Sequence, residues 1–163
     1  MKRRSGKIVT RSQLAAVSRR MAAAGKRLVF TNGCFDLVHP GHVKLLARAR
    51  GLGDALAVAL NSDASVRRLK GPGRPILKAR ERAEILAAFE SVDYVVVFPE
   101  TTPEQIIRKV RPKVLVKGGD WSPARIVGRS VVEREGGAVR VVPLSRGLST
   151  SALLRRIRAI RHP

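Results

Sequence analysis

Two histidines three residues apart, His39 and His42, bracket Pro40 and Gly41. Proline suits the first helical position, so the four residues read as a tight entry into a helix. Both imidazoles then project toward the helix N-terminus, where free N–H groups and the dipole favour a phosphate. Imidazoles at that place can donate hydrogen bonds to phosphate oxygens and follow charge as it develops. The pair also suits two ordinary helix-start histidines, and Cys34 nearby admits a cysteine–histidine pair. Packing of Cys34 behind a strand end is the simpler reading. Zinc needs three or four ligands, and only Cys34, His162 and the acids remain to complete a site. No metal site is expected. The phosphate-loop pattern G-x-x-x-x-G-K-[ST] and the dinucleotide pattern G-x-G-x-x-G after the first strand are absent. Anion recognition therefore falls to the histidine pair, helped by Lys and Arg.

The elements that must position this pair follow from periodicity and caps. A first helix starts at Thr10 or Ser12, with Leu14, Val17 and Met21 on one face, and ends at Gly25. A short buried strand at 28–30 runs into Thr31, Asn32 and Gly33, and a helix covers 41–50. The continuous apolar run 55–60 reads as a parallel strand covered on both faces. Ser62 or Asp63 caps a short helix through Leu69, and the basic loop 70–75 is rich in Gly and Pro. Helix 79–89, strand 94–98, helix 103–110 and strand 114–116 come next. Another short helix, strand 139–142 and a last helix capped by Ser149 and reaching about Ile160 complete the chain. This alternation predicts an α/β fold: a single domain with a mostly parallel five-stranded sheet and helices on both faces. Ligands of such sheets bind at the carboxyl ends of the strands, and each unusual cluster here falls at such an end.

The totals narrow the function classes. One domain fits 163 residues, and 44% apolar residues with only 4% aromatics imply an aliphatic core. No apolar run is long enough to span a membrane. The basic start from Met1 to Lys7 lacks the apolar stretch of a secretion signal, and Cys34 is the sole cysteine. A reducing, cytoplasmic setting is expected. The net charge of +21 favours anionic partners. Arg outnumbers Lys 24 to 9 and is spread along the chain, as in proteins from GC-rich genomes. Nucleic-acid binding is not expected as the main function, because such charge supplies affinity without chemistry and no stacking aromatics accompany it.

Thr31, Asn32, Gly33, Cys34, Phe35 and Asp36 followed by His39, Pro40, Gly41 and His42 resemble the signature of the cytidylyltransferase-like nucleotidyltransferases. A second motif of that family, near S-T/S-T/S before a late helix, is matched by Gly147, Leu148, Ser149, Thr150 and Ser151. Within the family the chain is similar to the heptose 1-phosphate adenylyltransferases, over about 27–157. That similarity includes Asn61, Ser62 and Asp63, the run 68–71, residues 74–76 and the run 116–121. It implies a Rossmann-like nucleotidyltransferase fold, with a basic N-terminal segment at 1–26 and the catalytic domain at 27–161. It also implies transfer of AMP from ATP, with Mg²⁺, to a sugar 1-phosphate, forming ADP-heptose and pyrophosphate.

The resemblance assigns roles residue by residue. His39 and His42 would stabilise the triphosphate in the transition state, and Lys70 with Arg74 would close over it as a mobile loop. Backbone N–H groups near Gly33, Cys34 and Phe35 would hold phosphates, and Thr31, Asn32 and Gly41 would also bind the nucleotide. Gly119, Asp120 and Trp121 would line base and ribose, Lys117 would bind the nucleotide, and Ser149 and Thr150 would bind the β- and γ-phosphates. Asp36, Asn61, Asp63, Arg74 and Arg82 would serve the acceptor. A homodimer is expected from the family, and a separate kinase is expected because a fused kinase half is not present in the sequence. A cytidylyltransferase acting on a polyol phosphate such as glycerol 3-phosphate is the alternative enzyme. A basic nucleic-acid-binding domain without turnover is the alternative of another class.

Overall fold

The computed structural model describes residues 6–119, 121–143 and 149–160. The readings made for Asp120, Gly147, Leu148 and His162 lie outside them.

Five strands form one sheet: β1 (Leu28–Gly33), β2 (Ala55–Asn61), β3 (Tyr94–Phe98), β4 (Val114–Gly118) and β5 (Ala138–Val142). All four neighbouring pairs are parallel, in the order β3-β2-β1-β4-β5. The chain builds outward from β1 to β3, then returns to the other side of β1. The topological switch therefore lies between β1 and β4, the place where open α/β sheets bind ligands.

Side-chain alternation explains the two-sided cover. In β2, Leu56, Val58 and Leu60 join an aliphatic cluster with Leu46 and Leu86. Leu46 comes from α2 (Pro40–Arg50) and Leu86 from α4 (Ala79–Ala88). The opposite face of β2, Ala55, Ala57 and Ala59, belongs to a second cluster with Leu14, Ile106, Ile107 and Val131. Those side chains come from α1 (Arg11–Ala23), α5 (Glu104–Val110) and α6 (Arg129–Arg134). Every residue of β2 is buried, which is why its sequence is continuously apolar. Two further helices, α3 (Asp63–Lys70) and α7 (Thr150–Ala159), flank the carboxyl ends of the strands.

Local signals behave as chemistry dictates. Thr10, Ser62 and Ser149 each accept a first-turn backbone N–H, from Gln13, Ser65 and Ala152. Three differences from the sequence reading have physical reasons. β1 extends through Gly33 and β4 through Gly118, because both continue to pair with neighbouring strands beyond their apolar stretches. The segment before α1 adds to the sheet edge: Val9 N–H donates to the Val95 carbonyl and Val95 N–H to that of Lys7. That pairing covers part of the β3 edge, which would otherwise be open to association.

Candidate active site

α2 begins directly above β1. Pro40 is at its first turn and His39 at its N-cap, in extended backbone at φ −142°. The His39 and His42 rings stack, with centroids 3.8 Å apart and 27° between planes. His39 N–H points to His42 Nδ1 at 3.4 Å. That nitrogen is thus an acceptor, so neutral His42 carries its proton on Nε2. Burial and the neighbouring charge of His39 push the His42 pKa down to about 4, and burial lowers that of His39 as well. Both are neutral donors at pH 7 when the cleft is empty. His39 is 7% exposed, and its Nδ1 is buried without a hydrogen-bond partner among the described residues. Unmet polar demand of this kind is common at ligand sites.

The pair lines a cleft of 590 Å³ at the carboxyl edge of the sheet. A second helix N-terminus reaches the same cleft through Ser149, Thr150 and Ser151, and Thr150 Oγ1 donates to the Leu37 carbonyl at 3.4 Å. Neither α2 nor α7 has an acid in its first turn, so both dipoles stay available to an anion. Lys70, Arg74, Lys117 and Arg125 add positive charge to the walls. Lys117 Nζ donates to Asn32 Oδ1 at 2.9 Å across the β1/β4 switch. It also sits 5.9 Å from the Trp121 ring centroid, and burial lowers its pKa. Trp121 itself is 48% exposed at the cleft rim.

The turn between β1 and α2 is held by packing and by hydrogen bonds from distant segments. Phe35 adopts a left-handed conformation at φ 45°, an uncommon state for a residue with a side chain. Its ring lies against Gly33, where an added Cβ would come within 3.0 Å of Phe35 Cε2. Arg82, on α4, is fully buried and donates to the carbonyls of Cys34 and Leu77 and to the Asp63 carboxylate. Asp36 accepts from Ile76 N–H, Leu77 N–H and Arg74 Nε. Burial raises the Cys34 pKa against the opposing charges of Lys70, Arg82 and Arg74. Cys34 faces the cleft instead of packing behind the strand end.

Asn32, Gly33, Cys34, Phe35, Asp36, Asn61, Lys70, Arg74, Lys117, Trp121, Ser149 and Thr150 line the cleft, together with the histidines. Thr31, Gly41, Asp63, Arg82 and Gly119 do not. Thr31 is buried in the middle of the sheet between β2 and β4. Gly41 is buried in the first turn of α2, and Gly119 N–H is bound to the Val142 carbonyl. Asp63 and Arg82, expected to touch the acceptor, bind each other at 2.7 Å. Asp36 reaches the wall, but its carboxylate is spent on the 74–77 loop. Thr101, Thr102, Pro103, Leu69 and the run 125–127 also line the cleft and were missed. The first three follow β3 at its carboxyl end, so the strand-end rule points to them. The run 125–127 carries no sequence signal.

Comparison with known proteins shows the family. The bifunctional protein HldE of Geotalea uraniireducens is 55% identical over 152 residues, covering 93% of this chain and 31% of that one. HldE of Bradyrhizobium diazoefficiens is 57% identical over 134 residues, 82% of this chain and 27% of that one. The chain therefore spans under a third of the length of these relatives. A lipopolysaccharide core biosynthesis protein from Thermoplasma volcanium has a similar structure, with TM-score 0.61 and 28% identity over 74% of this chain and 98% of that one. A pantoate–beta-alanine ligase from Francisella tularensis shares the fold at TM-score 0.63 and 14% identity, over 91% and 72% of the two chains. The cytidylyltransferase-like family model matches residues 30–150, from β1 to the start of α7, and the chain belongs to that family.

Proposed function

We propose that the protein transfers AMP from ATP to heptose 1-phosphate, forming ADP-heptose and pyrophosphate. The observation that carries this reading is the convergence of two helix N-termini and the stacked His39–His42 pair on one cationic cleft. A phosphate oxygen of the acceptor attacks the α-phosphorus in line. The new P–O bond forms as the bond to the bridging oxygen of the β-phosphate breaks, and pyrophosphate leaves with that electron pair. The attacking oxygen is already anionic, so no protein base is required. His42 Nε2–H, His39 and the α2 N-terminus stabilise charge around the reacting phosphate, and Ser149 and Thr150 at α7 hold the leaving pyrophosphate. Lys117 and Trp121 serve the nucleoside.

Among the described residues, no three acids, histidines or cysteines gather to hold a metal. Mg²⁺ suits this site as a companion of ATP, since it is bound chiefly by substrate phosphates and neutralises their charge. The structural relative named for lipopolysaccharide core biosynthesis supports a carbohydrate acceptor. A homodimer, a cytoplasmic location and a separate kinase that makes the acceptor phosphate belong to the same proposal. No helix among the described residues is long and apolar enough to cross a membrane.

The test is pyrophosphate release by purified protein with Mg²⁺, ATP or CTP, and a panel of acceptors. Release with ATP and heptose 1-phosphate is expected. Release with CTP and glycerol 3-phosphate would replace the substrates and keep the reaction class. No release with any pair, joined to salt-sensitive nucleic-acid binding, would overturn the enzyme reading.

A further inference from the structure

The orientation of the Asn61 amide is dictated by the groups behind it. Asn61 ends β2, is 3% exposed and lines the cleft. Its Nδ2 donates to Ser65 Oγ at 2.9 Å, and the fully buried Ser65 hydroxyl donates to the Glu100 carbonyl at 2.7 Å. A carbonyl only accepts, so the serine proton is committed to Glu100. Ser65 Oγ must then accept from Asn61, and only the amide nitrogen can donate. A flipped amide would set Oδ1 against Oγ, two acceptors facing each other. The Glu100 end is fastened in turn: Arg11 binds its carboxylate, and Arg68 donates to the Pro99 carbonyl. Asn61 Oδ1 therefore faces away from Ser65. It makes no hydrogen bond among the described residues and is not enclosed, so it opens to the cleft.

An oriented amide oxygen recognises a hydroxyl or an N–H and repels phosphate oxygens. Its place agrees with that. The two helix N-termini that suit anions belong to α2 and α7, and Lys117 lies on β4, with Lys70, Arg74 and Arg125 as further cations of the walls, whereas Asn61 sits on β2 beside the carboxyl end of β3, where the uncharged Thr101 and Thr102 also line the cleft. We infer that Asn61 is a specificity-determining residue that accepts a hydrogen bond from a hydroxyl on the polyol portion of the acceptor, with Ser65 as the positioning residue that fixes it. This rests on the nucleotidyl-transfer reading and assigns the non-phosphate half of its acceptor.

Pyrophosphate release is measured with Mg²⁺, ATP and heptose 1-phosphate or each of its monodeoxy analogues. The wild-type protein, Asn61→Ala and Ser65→Ala are compared. The wild type loses at least about tenfold in kcat/KM for one analogue, because a site built to bind a hydroxyl rejects the molecule lacking it. Asn61→Ala then uses that analogue and the parent equally well, Ser65→Ala discriminates less than wild type, and KM for ATP is unchanged in both. Asn61→Ala carries the test alone if Ser65→Ala does not fold. Undiminished discrimination by Asn61→Ala against every analogue would overturn the assignment. So would loss of discrimination against 2′- or 3′-deoxy-ATP instead, which would place Asn61 on the ribose. Absence of release by the wild type with every nucleotide and acceptor would overturn the nucleotidyl-transfer reading, and this assignment with it.

Discussion

The His39 and His42 rings stack at a centroid distance of 3.8 Å, and His39 N–H is directed at His42 Nδ1. One residue's backbone thus sets the tautomer of the other and leaves Nε2–H as its donor. His42→Ala removes a preorganised donor, which typically costs about 10²–10³ in rate. We expect a fall of that order in kcat, with the far-UV spectrum and melting curve preserved. Wild-type turnover by folded His42→Ala would refute the role given to the pair.

The same residue makes stability depend on pH. Its folded pKa of about 4 lies below the ordinary value of 6.5, so the unfolded chain binds more protons between those two values. The contribution is fully present above pH 6.5 and is lost as pH falls toward 4. Urea unfolding at a series of pH values should show stability declining through that window. His42→Gln should flatten the decline, and an unchanged slope in that variant would count against the burial of a neutral imidazole.

Arg82 acts on the site through the protein. Its guanidinium is fully buried and joins the Cys34 turn, the Leu77 carbonyl and Asp63. Removing one partner of a buried pair costs about 3–5 kcal/mol, and the half-open Asp63 carboxylate points to the lower end. Arg82→Met should lose about 3 kcal/mol in urea unfolding. Arg82→Lys should recover little, because one ammonium cannot span three acceptors in a planar fork. Full stability in Arg82→Lys would show that charge alone suffices.

Trp121, the single tryptophan, stands half-exposed at the cleft rim near Lys117. A nucleotide bound at the end of β4 would cover the indole. Titration with ATP should shift its emission to the blue and change its intensity, saturating with a single constant. Lys117→Met should weaken that constant, because the ammonium bridging to Asn32 is lost. An emission spectrum indifferent to ATP would move the nucleoside elsewhere.

The order of elements, the Ser149 cap, the choice of Thr10 or Ser12 and of Ser62 or Asp63 as caps, and the place of His39 and His42 above β1 were legible in the sequence alone. Each follows from contacts within one or two helical turns, or from the period of burial along one element. The resemblance to the cytidylyltransferase-like family was legible for the same reason, since its motifs are short and contiguous. Tertiary structure decided the rest. Arg82 and Asp63 look like ordinary polar residues on exposed helices until α4 is packed on the sheet and brings them together. Asp36 proves to be a loop anchor because the 74–77 segment folds back to supply its donors, 38 to 41 positions away. The orientation of Asn61 depends on Glu100, a residue brought beside it by the parallel pairing of β2 and β3. A local pattern records which side chains can do chemistry, whereas the partners that occupy or free them come from distant segments, so only the packed chain determines which groups remain to meet a ligand.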